Sequence, residues 1–157
     1  MSLLRPKPKP AEQLRSIRET ALNLLARREH SALELQQKLA IRGYPEDAVE
    51  SLLQVLQKEH LQSDERFTES YIRYRISKGF GPIKISNELV ERGLAEGLIQ
   101  NQFEMQAADW SLLLKQQRQK KFGSLIPSDY NERMRQARFL QTRGFPADLI
   151  MQVLGGE

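Results

Sequence analysis

Residues 63–94, SDERFTESYIRYRISKGFGPIKISNELVERGL, close on a pattern that the flanking segments repeat. The pattern is Leu-x-x-Arg-Gly-apolar. It occurs as LAIRGY from Leu39 to Tyr44, LVERGL from Leu89 to Leu94 and LQTRGF from Leu140 to Phe145. Gly43, Gly93 and Gly144 stand 50 and 51 residues apart, and alignment on them also puts Val49, Ile99 and Ile150 in one column and Leu53, Phe103 and Leu154 in another. Three copies in register with matching apolar columns indicate internal duplication.

A period near fifty residues divides this chain of 157 residues into three small units that bury surface against one another, since a lone unit of that size buries too little. The expected division is a basic arm at 1–10 followed by three-helix repeats at 11–62, 63–106 and 107–157. The fold class is all-α, because no segment alternates apolar and polar residues as a strand does.

The helices are legible one by one. Leu14, Ile17, Ala21, Leu22 and Leu25 recur at three and four from Ala11 to Arg28, the period of an amphipathic helix. Ser31 and Glu34 form a capping box for a second helix ending at Gly43, and Pro45 suits the first position of a third. In the second unit Ser63 is the expected N-cap, with Phe67, Tyr71, Tyr74 and Lys78 along one face. Pro82 starts a helix that closes at Gly93, and a third runs from about Ala95 to near Met105. The third unit has helices through Trp110–Phe122 and Ser128–Arg143, broken at Gly123–Pro127, then a short one from Ala147 to Leu154.

Composition excludes several classes. With no cysteine there are no disulfides, thiolate metal sites or cysteine nucleophile. No stretch approaches the ~20 apolar residues that span a bilayer, and MSLLRPKPKP lacks the apolar core of a secretory signal. A cytoplasmic location is expected. The two histidines, His30 and His60, lie at helix ends, where solvent exposure is the expectation, and neither has a partner at ligand spacing. Gly79-Phe-Gly81 lacks the Lys-Ser/Thr of a phosphate loop and is a turn. No catalytic residues, metal or cofactor are expected, and the chain is not an enzyme on this reading.

Net charge is +4, distributed unevenly. The arm carries Arg5, Lys7 and Lys9; residues 11–65 hold seven Lys/Arg against ten Asp/Glu; residues 110–157 hold eight against four. An acidic start and a basic end suit contact with a charged assembly. Two patches stand out. Tyr71-Ile-Arg-Tyr-Arg-Ile-Ser-Lys78 interleaves rings and cations, with both tyrosines expected in the core and Arg73 and Lys84 aimed outward. The second patch is Lys115, Arg118, Lys120 and Lys121 with Arg133, Arg135 and Arg138, a basic face for DNA or a filament. Arg42, Arg92 and Arg143 occupy equivalent positions and would line one edge of a regular stack.

At Asp64-Glu65-x-Phe67, Tyr71-Ile-x-x-Arg75, Gly79-Phe-Gly-Pro82, Ile85, Glu88-Leu89 and Arg92-Gly93-Leu94 the sequence resembles the RecX family, regulators of the RecA recombinase. The resemblance extends to Arg28, Ser31, Glu34-Leu35, Leu39 and Gly43, and to Phe139-Leu140 with Arg143-Gly144-Phe145. It departs from the family at Glu65, where a second Asp is common, and at Thr68, where Ala is. It implies an elongated monomer of tandem three-helix repeats lying in the helical groove of the RecA–DNA filament and inhibiting ATP hydrolysis, strand exchange and co-protease activity. The expected recombinase contacts are Asp64, Arg73, Arg75, Lys78, Lys84 and Arg92. The alternative from the residues themselves is a helical module that binds single- or double-stranded DNA through phosphate contacts.

Overall fold

The computed structural model describes Pro6 and residues 9–155, and among them there are nine helices and no strand. The helices are α1 Pro10–Arg27, α2 Ala32–Ile41, α3 Glu46–Lys58, α4 Asp64–Ser77, α5 Pro82–Glu91, α6 Glu96–Gln106, α7 Trp110–Phe122, α8 Tyr130–Thr142 and α9 Ala147–Leu154. Most of the basic arm, including Arg5 and Lys7, lies outside the described residues.

The repeated sextet is a helix terminator with one geometry. In each copy the sixth residue donates its N–H to the first residue's carbonyl: Tyr44 to Leu39, Leu94 to Leu89 and Phe145 to Leu140, at 3.3, 3.1 and 3.2 Å. The glycine N–H reaches the second residue's carbonyl at 2.9 to 3.0 Å. This is the Schellman arrangement, and it requires a left-handed fifth residue. Gly43, Gly93 and Gly144 have φ of +85°, +85° and +99°. Their spacing in the sequence is therefore the spacing of three second-helix ends.

Two compact units divide the chain, residues 1–67 and 68–157. In the first, Ile17, Ala21 and Leu24 of α1 pack with Leu35 and Leu39 of α2 and Val49, Leu52, Leu53 and Leu56 of α3. The capping box forms as expected: Glu34 N–H donates to Ser31 Oγ, and Ser31 N–H to Glu34 Oε1, both at 3.1 Å. Pro45 is the N-cap of α3, one residue ahead of the expected position, and Pro82 opens α5 as expected. His30 does not face solvent; it is 1% exposed. Its ring lies 3.0 Å from the Arg28 carbonyl at Nδ1 and 2.8 Å from Lys38 Nζ at Nε2, so the neutral ring donates to the first and accepts from the second. Burial and the Lys38 and Arg28 charges hold its pKa below the ordinary histidine value. His60 is exposed and ends α3 with φ +59°.

The second unit holds the second repeat from Thr68 onward and the third repeat. Its buried apolar residues include Ile72, Ile85, Leu89, Leu94 and Ile99, and a second cluster of Leu114, Leu140, Phe145, Ile150 and Leu154. The two repeats are joined backbone to backbone. Gly81 N–H donates to the Arg143 carbonyl at 2.8 Å and Ile83 N–H to the Gly144 carbonyl at 3.0 Å. A Cβ at Gly81 would lie 2.6 Å from the Gly144 carbonyl carbon, and one at Gly144 would lie 2.7 Å from the Lys84 nitrogen. Only paired glycines permit this approach. The Gly79-Phe-Gly81 turn is thus the seat for the third Arg-Gly turn.

Candidate functional site

Around that junction the second unit arranges cations against ring faces. The last turn of α4 supplies Arg75, whose guanidinium carbon stands 3.8 Å from the Phe80 ring centroid. Lys84, one turn into α5, places its ammonium 5.4 Å from the same ring. Arg143 at the end of α8 reaches Phe80 at 4.9 Å and Phe139 at 5.3 Å, and donates to the Lys78 carbonyl at 3.3 Å. Phe139 meets Phe122 edge to face at 5.3 Å; Lys121 lies 5.6 Å from Phe139 and Arg135 5.3 Å from Phe122. Each contact is of the cation–π kind, favourable by about 0.5–1 kcal/mol where exposed. Together they form one seam from Arg75 to Arg135 across two repeats.

Carboxylates answer only part of this charge. Glu88 accepts from Arg75 at 2.9 Å and from the Tyr71 hydroxyl at 2.7 Å. Burial and that bond to Glu88 push the Tyr71 hydroxyl up to about 12, so it is a permanent donor. Glu132 pairs with Arg135 at 2.9 Å. Among the described residues no carboxylate pairs with Lys84, Lys121 or Arg143. A cleft of about 510 Å³ opens beside the seam, lined by Lys84, Asn87, Glu91, Gln141 and Thr142 among others. Unpaired cations beside hydrogen-bonding side chains are the chemistry of recognising anionic or carboxylate-bearing surfaces.

The seam gathers Arg75 and Lys84 from the expected recombinase contacts with Lys121 and Arg135 from the expected basic patch. Other expectations place differently. Asp64 is engaged within the first unit: its Oδ1 accepts from the Ala32 N–H at 2.9 Å and from Gln62 at 3.0 Å, completing the N-terminus of α2. Arg73 is exposed and paired with Glu69 at 2.7 Å. Lys78 is exposed, 5.6 Å from the Tyr74 ring. Tyr74 is 56% exposed rather than in the core, and Tyr71 is half-buried, because Phe67, Thr68 and Ile72 are the buried positions of α4. Arg92 stands 4.8 Å over Tyr71, so Arg92 and Arg143 lie over different rings and form no common ladder.

In the basic patch, Lys115, Lys120, Lys121, Arg135 and Arg138 are exposed. Arg118 is not: it is 4% exposed and turned inward onto backbone carbonyls. Arg133 is half-buried, donating to the Ser128 and Gly155 carbonyls. Sequence reasoning missed Phe80, Phe122, Phe139 and Glu88 as organisers of the site. The available signal was that each phenylalanine stands a few residues from a cation that no nearby acid matches.

Among the described residues no group of three His, Asp or Glu is placed to hold a metal ion, and no helix is long and apolar enough to cross a membrane. The fold and seam define a tandem three-helix-repeat protein with a row of cations set against ring faces. Models of the first, second and third RecX three-helix domains match residues 18–56, 63–101 and 113–154. The regulatory protein RecX of Halorhodospira halophila is 44% identical over 135 residues, 86% of this chain and 84% of that one. That of Pseudomonas savastanoi is 42% identical over 141 residues, covering 90% and 91%. The chain belongs to the RecX family of regulatory proteins. Its fold is also that of solved structures: RecX from Lactobacillus salivarius, with TM-score 0.74, 22% identity and coverage of 92% and 98%, and a second regulatory protein RecX, with TM-score 0.78, 24% identity and coverage of 94% and 75%.

Proposed function

We propose that the protein is a non-enzymatic, monomeric, cytoplasmic regulator that binds the RecA recombinase filament in its helical groove. There it inhibits ATP hydrolysis, strand exchange and co-protease activity, and so modulates recombination, DNA repair and the SOS response. The observation that carries this reading is the seam with its unpaired Lys84, Lys121 and Arg143 in a chain whose relatives are regulatory proteins. The filament presents phosphates and acidic protein surface on one repeating object, and a cationic seam two repeats long suits such a target.

The test is the single-stranded-DNA-dependent ATPase of the cognate recombinase, titrated with this protein below one molecule per protomer. The rate is expected to fall steeply for the wild type. The double change Lys84→Glu, Lys121→Glu should weaken inhibition at least tenfold, because it reverses two unpaired charges without touching the core. An unchanged rate with wild-type protein overturns the reading.

A second reading is favoured by one observation: residues 115–128 carry no acid and three exposed cations, Lys115, Lys120 and Lys121, Arg118 being turned inward. Such a run suits direct binding to DNA phosphates, and it predicts affinity for naked DNA that falls steeply with salt. Tight binding to the filament with weak, salt-insensitive binding to naked DNA counts against it.

A further inference from the structure

The loop between α7 and α8 holds its backbone in and its side chains out. Leu125 is 85% exposed and Ile126 49%. Beneath them the buried guanidinium of Arg118 donates to three successive carbonyls: Gly123 at 3.1 Å, Ser124 at 3.3 Å and Leu125 at 3.2 Å. A further bond to Gln136 Oε1 at 3.3 Å ties the same group to α8. Gly123 enters the loop with φ +87°, and Pro127 restricts the exit. A short loop left to itself turns its aliphatic side chains towards the core. Here a buried cation attracts the carbonyls inward, so the aliphatic pair is displayed on a braced backbone, and little ordering cost remains for binding.

The surroundings of the pair indicate what it meets. Lys115, Lys120 and Lys121 on the α7 stem are exposed, and none has a carboxylate partner among the described residues. The next acids are occupied: Asp129 caps α8 by accepting from the Glu132 N–H at 2.9 Å, and Glu132 holds Arg135. The apolar tip is thus flanked by unopposed positive charge. Nucleic acid supplies negative charge but no concave apolar pocket for two branched aliphatic side chains. Bases are stacked on flat rings; of the rings near the loop, Phe122 and Phe139 are packed on each other and covered by Lys121, Arg135 and Arg143, and the exposed Tyr130 stands on the first turn of α8, outside the loop that displays the pair.

We infer that Leu125 and Ile126 anchor a protein–protein contact, entering an apolar pocket whose rim carries carboxylates that the α7 lysines face. This deepens the proposed function and rests on it, the pocket belonging to the protomer surface of the recombinase filament. An anchor of this kind is the central, desolvated part of an interface, with the charged pairs forming its rim.

The experiment immobilises the full-length protein and its Leu125→Ser, Ile126→Ser double variant and measures binding of two probes. One is recombinase filament assembled on an oligo-dT strand with a slowly hydrolysed ATP analogue; the other is the oligo-dT strand alone. The double variant is expected to bind filament at least tenfold more weakly and the naked strand within twofold of wild type. The single change Leu125→Ser, at a side chain with no folding role, should give most of that loss at an unchanged melting temperature. Equal filament binding by wild type and variants overturns this inference alone. A parallel loss on the naked strand overturns it in favour of a wedge between bases. Wild-type protein that fails to bind filament overturns the proposed function and the inference with it.

Discussion

The first and third Arg-Gly turns have the same local chemistry and opposite surroundings. Gly43 and Gly144 close their helices with the same two backbone bonds and left-handed φ. A Cβ on Gly43 would meet nothing within 4 Å, whereas one on Gly144 would strike Lys84. Arg42 is exposed and turns back to its own Lys38 carbonyl, while Arg143 spans two rings and another repeat's backbone. A motif copied for helix termination has therefore been reused at one copy as a docking surface. Repetition in sequence shows shared local structure, but it does not show which copy carries a joint.

The largest test of this contrast is Gly144→Ala against Gly43→Ala. Both oppose a left-handed φ, at about 1–2 kcal/mol. Gly144→Ala adds a backbone collision and is expected to cost more than about 3 kcal/mol, read by urea unfolding. Gly81→Ala attacks the joint from its other side without any φ penalty, since its φ is −92°, and should cost about 2–3 kcal/mol. Hydrogen exchange of the Ile83 N–H should accelerate in that variant and stay slow in Gly43→Ala.

Smaller effects separate the arginines. Arg143→Ala should destabilise by about 1 kcal/mol through lost ring contacts, while Arg42→Ala should stay within about 0.5 kcal/mol. The smallest expected difference is in pH response. Both histidines lie in the first unit, and the folded-state pKa of His30 is lowered. The unfolded chain therefore binds the proton more readily, and the stability due to neutral His30 is full above the ordinary value of 6.5 and lost as pH falls through it. Protonation would set an imidazolium against the Lys38 ammonium, with the Arg28 guanidinium also opposing and the Arg28 carbonyl and Glu34 favouring the charge. Amides of α1 and α2 should lose exchange protection as pH falls below 6.5, and His30→Asn should remove that slope.

Much of this was legible because the signals are local. The sextet, the Ser31–Glu34 capping box and the first-turn prolines act within six residues, and the helix periods report which face is buried. Tyr74 shows where such reasoning stops: it shares a helical face with Tyr71, yet the buried arc of α4 is centred on Phe67, Thr68 and Ile72. Arg118 shows it again. In a run of lysines it reads as surface charge, and only the path of the following loop supplies the carbonyls that draw it inside.

The sequence by itself determined the all-helical repeats, their terminators and the RecX family, because helix caps and apolar periodicity depend on neighbours within a turn or two. The tertiary structure decided which glycine pair makes a joint, which arginine is buried and which rings collect the cations. Those outcomes depend on groups up to 65 residues apart meeting at contact distance, as Arg143 meets the Lys78 carbonyl. No local rule ranks such meetings before the chain has packed.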